Sequence, residues 1–252
     1  MSASSELRRR EILKQIHQHG KVSVVALSEA FQVCSETVRG DLKKLEQDKS
    51  LIRTHGGAVA KPLETISFFS RIQNNVQEKQ IIARRAVSLV KPKDRLFIDA
   101  SSTSFFLARE LVGLDNLTII TDSVRIVLEL ASSPGLRLIC VGGSLRSSSF
   151  SLVGPLAVEC VEKYHANIFF CSCTGLTRSD GATESDEFEI EVKQAMANRA
   201  ERIALLIDHT KFGQVGLSKF LGLERIDDII SDEWTEELLQ EYPAILTEPP
   251  PA

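Results

Sequence analysis

Apolar side chains recur at helical spacing in three runs near the start of the chain. The first run, Arg9 to His19, ends at Gly20, and the second follows Ser23, whose hydroxyl can cap the start of a helix. Residues 32–34 form a short connection to the third run. Three helices with a tight turn between the second and third predict a helix-turn-helix, in which the third helix enters the major groove of DNA.

The third helix is predicted to begin with Ser35 as its cap and to have one apolar and one polar face. Val38, Leu42 and Leu45 lie at i, i+4 and i+7 on the apolar face. The other face carries hydroxyl and cationic side chains, which suit an anionic partner. They are Thr37, Arg39, Lys43 and Lys44. A small helical bundle with a solvated basic face is the alternative that this pattern leaves open.

The chain is predicted to contain a small N-terminal domain, a connection and a larger C-terminal domain. Residues 51–59 are two short β-prone runs around a glycine pair, and they predict a wing that completes a domain of residues 1–60. The connection, residues 61–74, is too apolar for a free linker, and its apolar side chains are expected to dock on a surface. They are Ile66, Phe68 and Phe69. Residues 75–252 are long enough for a second domain.

From residue 78 onward, apolar runs of strand length alternate with helical segments. The predicted strands are residues 96–98, 117–120, 136–141, 168–171, 203–207 and 229–230. The predicted helices are residues 104–111, 124–131, 155–164 and 187–200, preceded by one that starts at residue 78 and ends at Pro92. Strands without clear alternation, separated by helices, predict a mostly parallel sheet that is covered on both faces. In such sheets ligands bind at the carboxyl ends of the strands.

The predicted strand ends carry polar side chains. Asp99 follows the first strand and leads into hydroxyl residues at a helix N-terminus, where unpaired amides and the helix dipole favour an anion. Ordinary helix capping is the alternative for each such motif taken singly. Together the strand ends predict a site for a phosphorylated small molecule. The candidate residues are Asp99, Ser101, Ser102, Thr103, Ser104, Thr121, Asp122, Ser123, Gly142, Gly143, Arg146 and Lys211.

Charge is distributed unevenly along the chain. The net charge of −4 by itself argues against a nucleic-acid partner. Residues 1–61, however, hold 11 lysine and arginine residues against 7 acidic residues, a net charge of +4, which leaves −8 for the remainder. A basic region ahead of an acidic one is typical of a DNA-binding module joined to a domain that does not bind DNA. The polar, basic first ten residues and the lack of an apolar run of about 20 residues predict a cytosolic protein without membrane contact.

The five cysteines predict reduced, buried thiols, because they lie mostly in apolar runs. Cys171 and Cys173 are two residues apart, which places them on one face of a strand and does not match paired zinc-ligand spacings. No metal or other cofactor is expected. The sequence also lacks a glycine-rich loop ending in Gly-Lys-Ser or Gly-Lys-Thr, which disfavours an NTPase.

The run from Arg8 to Ala58 resembles the N-terminal domain of the DeoR family of bacterial transcriptional regulators. The matching residues are Ser35, Thr37, Val38, Arg39, Asp41, Leu42, His55, Gly56, Gly57 and Ala58. Gly40 departs from the family pattern, which has a second Arg or a Lys there, so a cation that could contact phosphate is missing. The DNA-binding residues that the resemblance implies are Ser35, Glu36, Thr37, Arg39, Lys43, Lys44, Arg53, His55 and Gly56.

The C-terminal region resembles the effector domain of the same family, so the resemblance covers nearly the whole chain. The matching residues are Asp99, Ser102, Thr103, Thr121, Ser123, Gly142, Gly143, Gly175, Gly181, Asp208, Lys211, Phe212 and Gly213, and Gly175 thereby joins the candidate effector-binding residues. The sequence departs at Ser101, where the family usually has Gly, and at Asp122, where it usually has Asn. The resemblance implies a repressor of a carbohydrate-utilisation operon, with an activator on the same scaffold as the alternative. Its partners would be double-stranded operator DNA, a phosphorylated sugar effector and further copies of itself, as a homodimer or homotetramer.

An enzymatic alternative arises because the effector domain of this family resembles ribose-5-phosphate isomerase in fold. Isomerisation of a sugar phosphate requires a carboxylate base. The candidates by residue type are Glu184, Asp186, Glu187 and Glu189. We expect no catalysis, because Glu189 and Lys193 look like an ordinary i,i+4 pair on a solvated helix face whose opposite side, including Phe188, points inward.

Overall fold

The structure is a computed structural model that describes residues 3–47, 51–60 and 67–244. The chain divides between Ser70 and Arg71 into two compact units, which we call the N-terminal unit and the C-terminal unit. Ile66, one of the three predicted docking residues, lies outside the described residues, whereas Phe68 is fully buried and Phe69 is exposed. Within the described ranges, no helix is both long enough and apolar enough to cross a membrane.

The N-terminal unit contains three helices and a small antiparallel sheet. The helices are α1 (Ala3–His19), α2 (Val24–Phe31) and α3 (Ser35–Gln47), and the strands are β1 (Lys21–Ser23), β2 (Leu51–Thr54) and β3 (Gly57–Ala60). The strand order is β1-β3-β2, so β2 and β3 form the predicted wing. The sequence pattern does not predict β1, because three residues are too few to show an alternation.

Side chains from all three helices close the core of the N-terminal unit. Ile16 and Val38 have no exposed surface, and Leu27 and Leu42 are only 1 % exposed. The apolar stripe predicted for α3 is therefore buried. Gly20 ends α1 with a positive φ of 71° while its amide donates to the Ile16 carbonyl at 2.8 Å, a conformation that favours glycine.

Helix α4 contains the division between the units, and helices and strands then alternate along the C-terminal unit. The helices are α4 (Phe68–Gln73), α5 (Val76–Val87), α6 (Ser102–Glu110), α7 (Val124–Leu130), α8 (Pro155–Glu162), α9 (Glu187–Asn198) and α10 (Glu236–Glu241). The longer strands are β4 (Arg95–Ile98), β5 (Leu117–Thr121), β6 (Leu136–Cys140), β9 (Ala166–Cys171), β12 (Ala200–Leu206) and β14 (Asp228–Ile230). The remaining strands are β7 (Ser144–Arg146), β8 (Ser151–Val153), β10 (Gly175–Thr177), β11 (Gly181–Glu184) and β13 (Ser218–Leu221).

The six longer strands form one parallel sheet in the order β14-β12-β9-β4-β5-β6. All six correspond to predicted strands, and the predicted α/β fold with a mostly parallel sheet is confirmed. Its central strands are fully buried because both faces are covered: Phe97 of β4 and Phe169 of β9 have no exposed surface and meet edge to face at 6.4 Å.

Five short strands form two small antiparallel sheets beside the main sheet. Strands β7 and β8 form a hairpin, and β10, β11 and β13 form the second sheet in that order. None of the five was predicted. They are three or four residues long and rich in glycine, serine and threonine, so they lack the apolar runs that mark the main strands.

Candidate functional site

The cap of helix α3 is Cys34 and not the predicted Ser35. The Cys34 carbonyl accepts hydrogen bonds from the amides of Thr37 and Val38 at 3.0 and 3.3 Å. Ser35 is the first helical residue, and its hydroxyl oxygen accepts from Ser28 Oγ at 3.3 Å. The prediction missed by one residue because serine is a preferred cap and cysteine is not. The thiol of Cys34 is exposed, and hydrogen bonds from Thr37 lower its pKa.

The predicted DNA-binding face of α3 is open to solvent. The Arg39 side chain is 58 % exposed, and its Nη1 lies 3.4 Å from Oε2 of Glu36, which is 83 % exposed. Lys43 is exposed, and Thr37 and Lys44 are half-buried. An exposed ion pair contributes little to stability, so Arg39 can exchange Glu36 for a phosphate or a base edge at small cost.

Asp41 of the same helix is turned inward and has a structural role. It is 6 % exposed, its Oδ2 lies 2.6 Å from Arg8 Nε, and its Oδ1 lies 3.9 Å from Arg9 Nη1. These contacts join α1 to α3 and so fix the direction in which the polar face of α3 points. Sequence pattern does not reveal this pairing, because more than 30 residues separate the partners.

The wing depends on a close approach that only glycine allows. A Cβ on Gly57 would lie 2.0 Å from the carbonyl oxygen of Val22, where β3 pairs with β1. Arg53 of β2 lies 3.5 Å from Glu46 Oε2 through its Nη1. The predicted wing contacts are all exposed. They are Arg53, His55 and Gly56.

The main sheet of the C-terminal unit reverses its strand order beside β4. The chain proceeds from β4 to β5 and β6 on one side and then returns to β9, β12 and β14 on the other. At such a switch point the carboxyl ends of the two central strands diverge and leave a crevice, where ligands of open α/β sheets bind. We call this place, between the ends of β4 and β9, the switch crevice. It is defined by Asp99, Ser172, Glu184, Lys193 and Lys211.

Asp99 lies at the base of the switch crevice and has no exposed surface. Its Oδ1 accepts a hydrogen bond from the Ser101 amide at 3.1 Å, and its Oδ2 accepts from the Ser172 amide at 2.9 Å. Burial alone would raise the pKa of Asp99, but Lys193 and the hydrogen bonds from Ser104, Ser172 and Ser101 hold that pKa below its ordinary value. Asp99 therefore remains ionised and joins the ends of β4 and β9.

Lys193 of α9 belongs to the switch crevice, and the prediction of a solvated Glu189–Lys193 pair is wrong. Lys193 is 4 % exposed, and its Nζ lies 3.1 Å from both Asp99 Oδ2 and Glu184 Oε1. Nζ also donates to the Ser172 carbonyl at 2.8 Å. Burial lowers the pKa of Lys193, but Glu184, Asp99 and Glu189 outweigh it and raise that pKa well above its ordinary value.

The inward face of α9 differs from the predicted one. Phe188, which was expected inside, is 58 % exposed, whereas Glu189 is 7 % exposed. Glu189, Val192, Lys193 and Met196 are spaced i, i+3, i+4 and i+7, so they form a buried stripe that includes two charges. That spacing was the signal that could have identified Lys193, because an apolar stripe interrupted by an acid and a base places both in the interior.

The end of β12 supplies the second lysine. Lys211 Nζ donates to Ser172 Oγ at 2.7 Å, so the two lysines engage the same residue. Asp208, which begins the short 3-10 turn His209–Lys211, accepts from Asn75 Nδ2 at 3.1 Å. Lys211 is half-buried and lies at the edge of the crevice that solvent reaches.

The first residues of the C-terminal unit are tied to the end of β12. Lys79 is 4 % exposed, and its Nζ donates to the carbonyl of Arg71 at 2.7 Å and to the carbonyl of Asn74. Burial and the nearby Lys211 lower the pKa of Lys79 to about 8. Together with the Asn75–Asp208 hydrogen bond, these contacts fix the segment 71–75 next to the strand end that carries Lys211.

The hydroxyl residues after β4 begin helix α6 as predicted. Ser101 is the cap, and its Oγ accepts from the Ser104 amide at 3.0 Å. Ser102, Thr103 and Ser104 are buried in the first turn. Across the sheet, Ser123 caps α7 by accepting from the Ile126 amide at 3.3 Å. Ser101 and Ser123 therefore cap helices, as the capping alternative describes, and the amides of Ser102 and Thr103 in the first turn of α6 remain available to an anion.

Asp122 follows β5 and, like Thr103, has one buried side-chain oxygen without a partner among the described residues. It is 2 % exposed, and its Oδ1 has no hydrogen-bond partner in the described part of the chain. Burial raises the pKa of Asp122 well above its ordinary value, and the negative charges of Asp99 and Glu189 add to the effect. Thr121, which precedes it, accepts from the Ser123 amide through its Oγ1 at 3.0 Å.

Arg146 forms ion pairs with two carboxylates at the N-terminal end of α9. Its Nε lies 2.9 Å from Asp186 Oδ2, and its Nη1 lies 3.5 Å from Glu189 Oε1. Ser151 Oγ also donates to Glu189 Oε1 at 2.8 Å. Arg146 is therefore already engaged, and an effector would compete with two acids for it.

The predicted glycines fall into two groups. Gly142 and Gly143 are exposed at the end of β6. Gly175 is buried in β10, where an added Cβ would lie 2.1 Å from the carbonyl oxygen of Gln214. The structure thus accounts for Gly175 by backbone packing, a role that the sequence could not separate from ligand binding.

Other features of the C-terminal unit are less suited to an effector. A groove of about 470 Å³ lies at the amino ends of β5 and β6, and a second of about 640 Å³ lies beside Tyr242. Charged side chains do not converge in either groove. His209, Asp232 and Glu233 hold ligand atoms within 4.8 Å of one another, but His209 Nδ1 already pairs with Asp232 Oδ2 at 2.8 Å. The converging buried charges single out the switch crevice.

The cysteines differ from the prediction of buried thiols. Cys171 and Cys173 are buried, Cys160 is half-buried, and Cys34 and Cys140 are exposed. All five lie in the described ranges and are free thiols. Cys140 ends β6, which is an edge strand of the main sheet. The apolar run that contains Cys140 therefore has a neighbouring strand on one side only.

Comparison with known families identifies both units. The model of the DeoR-like helix-turn-helix domain matches residues 8–62, and that of the DeoR C terminal sensor domain matches residues 74–233. The chain belongs to the DeoR family. This DeoR-family chain is a helix-turn-helix transcriptional regulator with a DNA-binding domain and a sensor domain, as the resemblance implied.

Relatives of this DeoR-family regulator are similar over nearly their full length. The HTH-type transcriptional regulator GolR of Listeria innocua is 36 % identical over 89 % of each chain. The L-fucose operon activator of Haemophilus influenzae is 33 % identical over 92 % of this chain and 93 % of its own. The glycerol-3-phosphate regulon repressor of Escherichia coli is 27 % identical over 88 % of each chain. These relatives are named as regulators, which confirms the prediction of a regulator over that of an enzyme.

The comparison with solved structures gives matches of low identity. Ribose 5-phosphate isomerase A of Methanocaldococcus jannaschii matches 53 % of this DeoR-family chain and 53 % of its own, with 16 % identity and a TM-score of 0.40. No functional conclusion follows from a similarity of that size.

Proposed function

We propose that this chain represses a carbohydrate-utilisation operon and that a phosphorylated sugar in the switch crevice controls its affinity for operator DNA. The exposed cationic face of α3, held in place by buried Asp41, is the observation that supports the DNA-binding half of the proposal. In this proposal Thr37 and Arg39 contact base edges or their phosphates, Lys43 and Lys44 contact the backbone, and the exposed residues of the wing add a contact beside them.

Operator binding tests the first half. Fluorescence anisotropy should show a preference for a duplex from the promoter of the chain's own gene over a random duplex of equal length. Arg39→Ala should weaken operator binding by about 1–3 kcal/mol, roughly 5- to 150-fold, because a guanidinium contact is lost. Glu36→Ala, which removes the other member of the exposed Arg39–Glu36 ion pair, is the matched control. It should weaken operator binding less than Arg39→Ala does. Equal affinity for both duplexes would contradict the proposal.

The phosphate of the effector is proposed to bind between Lys211 and the first turn of α6. Lys211 is half-buried with a hydroxyl as its partner, so its charge is not neutralised by an acid at hydrogen-bond distance among the described residues. The N-terminus of α6 follows β4, and β4 is paired with β9. Ser172, at the end of β9, accepts the hydrogen bond from Lys211. Amides at a helix N-terminus together with an ammonium form a suitable phosphate site.

Control of DNA binding requires that the effector favours one of two conformations. The tie between segment 71–75 and the β12 end supports such a link, because phosphate bound at Lys211 acts on the strand end to which Asn75 is bonded. Typical couplings of this kind are about 1–3 kcal/mol. Titration of a sugar-phosphate panel into the protein–operator complex should therefore release DNA, and Lys211→Ala should bind the operator but respond less.

An activator is the second candidate, because the Haemophilus influenzae relative is named as an operon activator. The same titration separates the two: an effector that tightens operator binding favours activation, and one that releases DNA favours repression.

We also propose domains of residues 1–60 and 75–252 with a connection between them and a cytoplasmic location. We further propose a homodimer or homotetramer, since a single helix-turn-helix covers too little DNA for tight binding. Light scattering during size-exclusion chromatography measures the oligomeric state.

A further inference from the structure

Two buried polar atoms at the carboxyl edge of the main sheet have no hydrogen-bond partner within the described part of the chain: Thr103 Oγ1 and Asp122 Oδ1. Thr103 has no exposed surface, and Asp122 is 2 % exposed. They follow the neighbouring strands β4 and β5, in which Ile98 is paired with Thr121. A buried polar atom without a partner is costly and rare, so a pair at the predicted ligand edge calls for an explanation by function.

More negative than positive groups surround Asp122. Each of four carboxyl groups at this edge is at most 7 % exposed: Asp99, Asp122, Glu184 and Glu189. Lys193 is the cation buried among them in the described chain, and it pairs with Asp99 and Glu184. The guanidinium of Arg146 is engaged by Asp186 and Glu189. Among the described residues, no cation forms an ion pair with Asp122.

We propose that Thr103 and Asp122 form a subsite for the uncharged, hydroxyl-bearing end of the effector and that the surrounding carboxyl groups exclude effectors with a second anionic group at that end. This inference rests on the proposed function, in which the effector is a phosphorylated sugar. The effector class is thus a sugar monophosphate, with its phosphate toward Lys211 and its hydroxyl groups toward Asp122. Sugar bisphosphates and phosphorylated sugar acids are rejected.

The chemistry of the two side chains fits sugar hydroxyls. Burial, Asp99 and Glu189 raise the pKa of Asp122 well above its ordinary value, so the carboxyl group tends to keep its proton and can both donate and accept. The Thr103 hydroxyl can also do both. A sugar hydroxyl supplies the missing partners, whereas a second phosphate or carboxylate would be buried beside ionised Asp99 and Glu189.

Isosteric variants test the subsite in the full-length chain. Thr103→Val and Asp122→Leu each remove a buried oxygen atom that lacks a protein partner, so the ligand-free protein should unfold at an equal or higher temperature. The same variants should bind a sugar monophosphate, such as glucose 6-phosphate or fructose 6-phosphate, about tenfold more weakly, the loss expected for one good hydrogen-bonded contact. Inorganic phosphate should bind both variants as it binds the wild type, because neither substitution removes Lys211 or a backbone amide of the first turn of α6.

Two further variants serve as controls for the loss of sugar binding. Asp122→Asn keeps the shape and both hydrogen-bonding roles, so it should retain sugar binding where Asp122→Leu loses it. Asp115→Leu, an exposed aspartate before the other end of β5, is the matched control and should leave binding unchanged. A residue that only supported the fold would instead lower the unfolding temperature and weaken phosphate and sugar binding alike.

Paired ligands test the exclusion of a second anion. Calorimetry should show fructose 6-phosphate binding at least about tenfold more tightly than fructose 1,6-bisphosphate, and glucose 6-phosphate more tightly than 6-phosphogluconate, because the second anion meets buried carboxyl groups. If the sugar monophosphate binds Thr103→Val and Asp122→Leu as tightly as the wild type, the subsite is wrong and the proposed function stands. Equal binding of the doubly anionic partners overturns the exclusion. If no sugar phosphate of a hexose and pentose panel binds the wild type, the proposed function fails and the inference with it.

Discussion

The cations of the two units are held in opposite ways. On α3, Arg39 is 58 % exposed and its partner Glu36 still more so, whereas the Lys193 side chain in the switch crevice is 5 % exposed and contacts two carboxylates. Exposed charges are screened by salt and exchange partners easily, while buried charges depend on the partners they have. The first arrangement suits a surface that exchanges solvent for DNA. The second suits a rigid crevice that keeps its shape until a ligand enters.

Removing the buried cation should have the largest effect. Lys193→Met leaves Asp99 and Glu184 buried without their shared cation, so the free energy of unfolding should fall by about 3–5 kcal/mol. Urea denaturation followed by circular dichroism measures the change. Lys43→Met, the same substitution on the exposed face of α3, is the control and should change the free energy of unfolding by less than about 0.5 kcal/mol. Equal losses in both variants would remove the distinction between the two kinds of cation.

The buried carboxyl group of Asp122 should make the stability of the chain depend on pH. Its folded-state pKa is raised, so the folded chain binds a proton that the unfolded chain has released, and stability must fall as pH rises above the unfolded value of about 4. Asp122→Asn removes this titration. The stability of that variant relative to wild type should therefore increase with pH, by at most about 1.4 kcal/mol per unit, until the raised folded pKa is reached.

Other groups near Asp122 also make the stability of each protein depend on pH. Asp99 and Glu189 have lowered pKa values, so their stabilisation is present above their unfolded pKa values and is lost toward acid. Lys193 and the Cys140 thiol, whose pKa Asp122 helps to raise, titrate at higher pH. Because these groups are common to both proteins, urea denaturation at several pH values isolates Asp122. A difference that does not vary with pH would show that the pKa of Asp122 is not raised in the folded chain.

The same contrast explains what could be predicted from sequence. Strands β4, β9 and β12 are central and largely buried, so they appear as apolar runs, and the stripe of α3 is just as clear. The hairpin β7–β8 and the sheet β10-β11-β13 are short, polar and partly glycine, and no local pattern distinguishes them from loops. Local propensity therefore revealed the sheet and the helix-turn-helix and missed the elements stabilised by tertiary contacts.

The candidate site was predictable only in part. Asp99, Thr103 and Lys211 follow strands or start helices, and the sheet topology brings the ends of their strands to one edge. Lys193 lies in the middle of α9, where an i,i+4 pair with Glu189 is normally solvated. Which face of α9 points to the crevice is decided by packing against β8, β9 and β11, and that information is not local.

A smaller effect should follow from cutting the tie between Asn75 and Asp208. Asn75 has a positive φ of 51°, so Asn75→Gly keeps a favourable backbone while it removes the hydrogen bond from Nδ2 to Asp208 Oδ1. The free energy of unfolding should fall by about 1 kcal/mol. Operator release by a sugar phosphate should also require more effector. A variant with unchanged response would show that the tie is structural only.

The smallest effect is expected on the exposed side, at Gly40 of α3. A Cβ built on Gly40 meets nothing within 4 Å, so Gly40→Arg fits without rearrangement, and the helix gains about 0.5–1 kcal/mol from the loss of glycine. The added guanidinium would give α3 a further phosphate contact, so operator binding should tighten and the slope of log affinity against log salt should steepen by about 0.9. Gly40→Ala controls for helix propensity and should leave the slope unchanged. A salt titration in which the arginine and alanine variants share one slope would place Gly40 away from the DNA backbone.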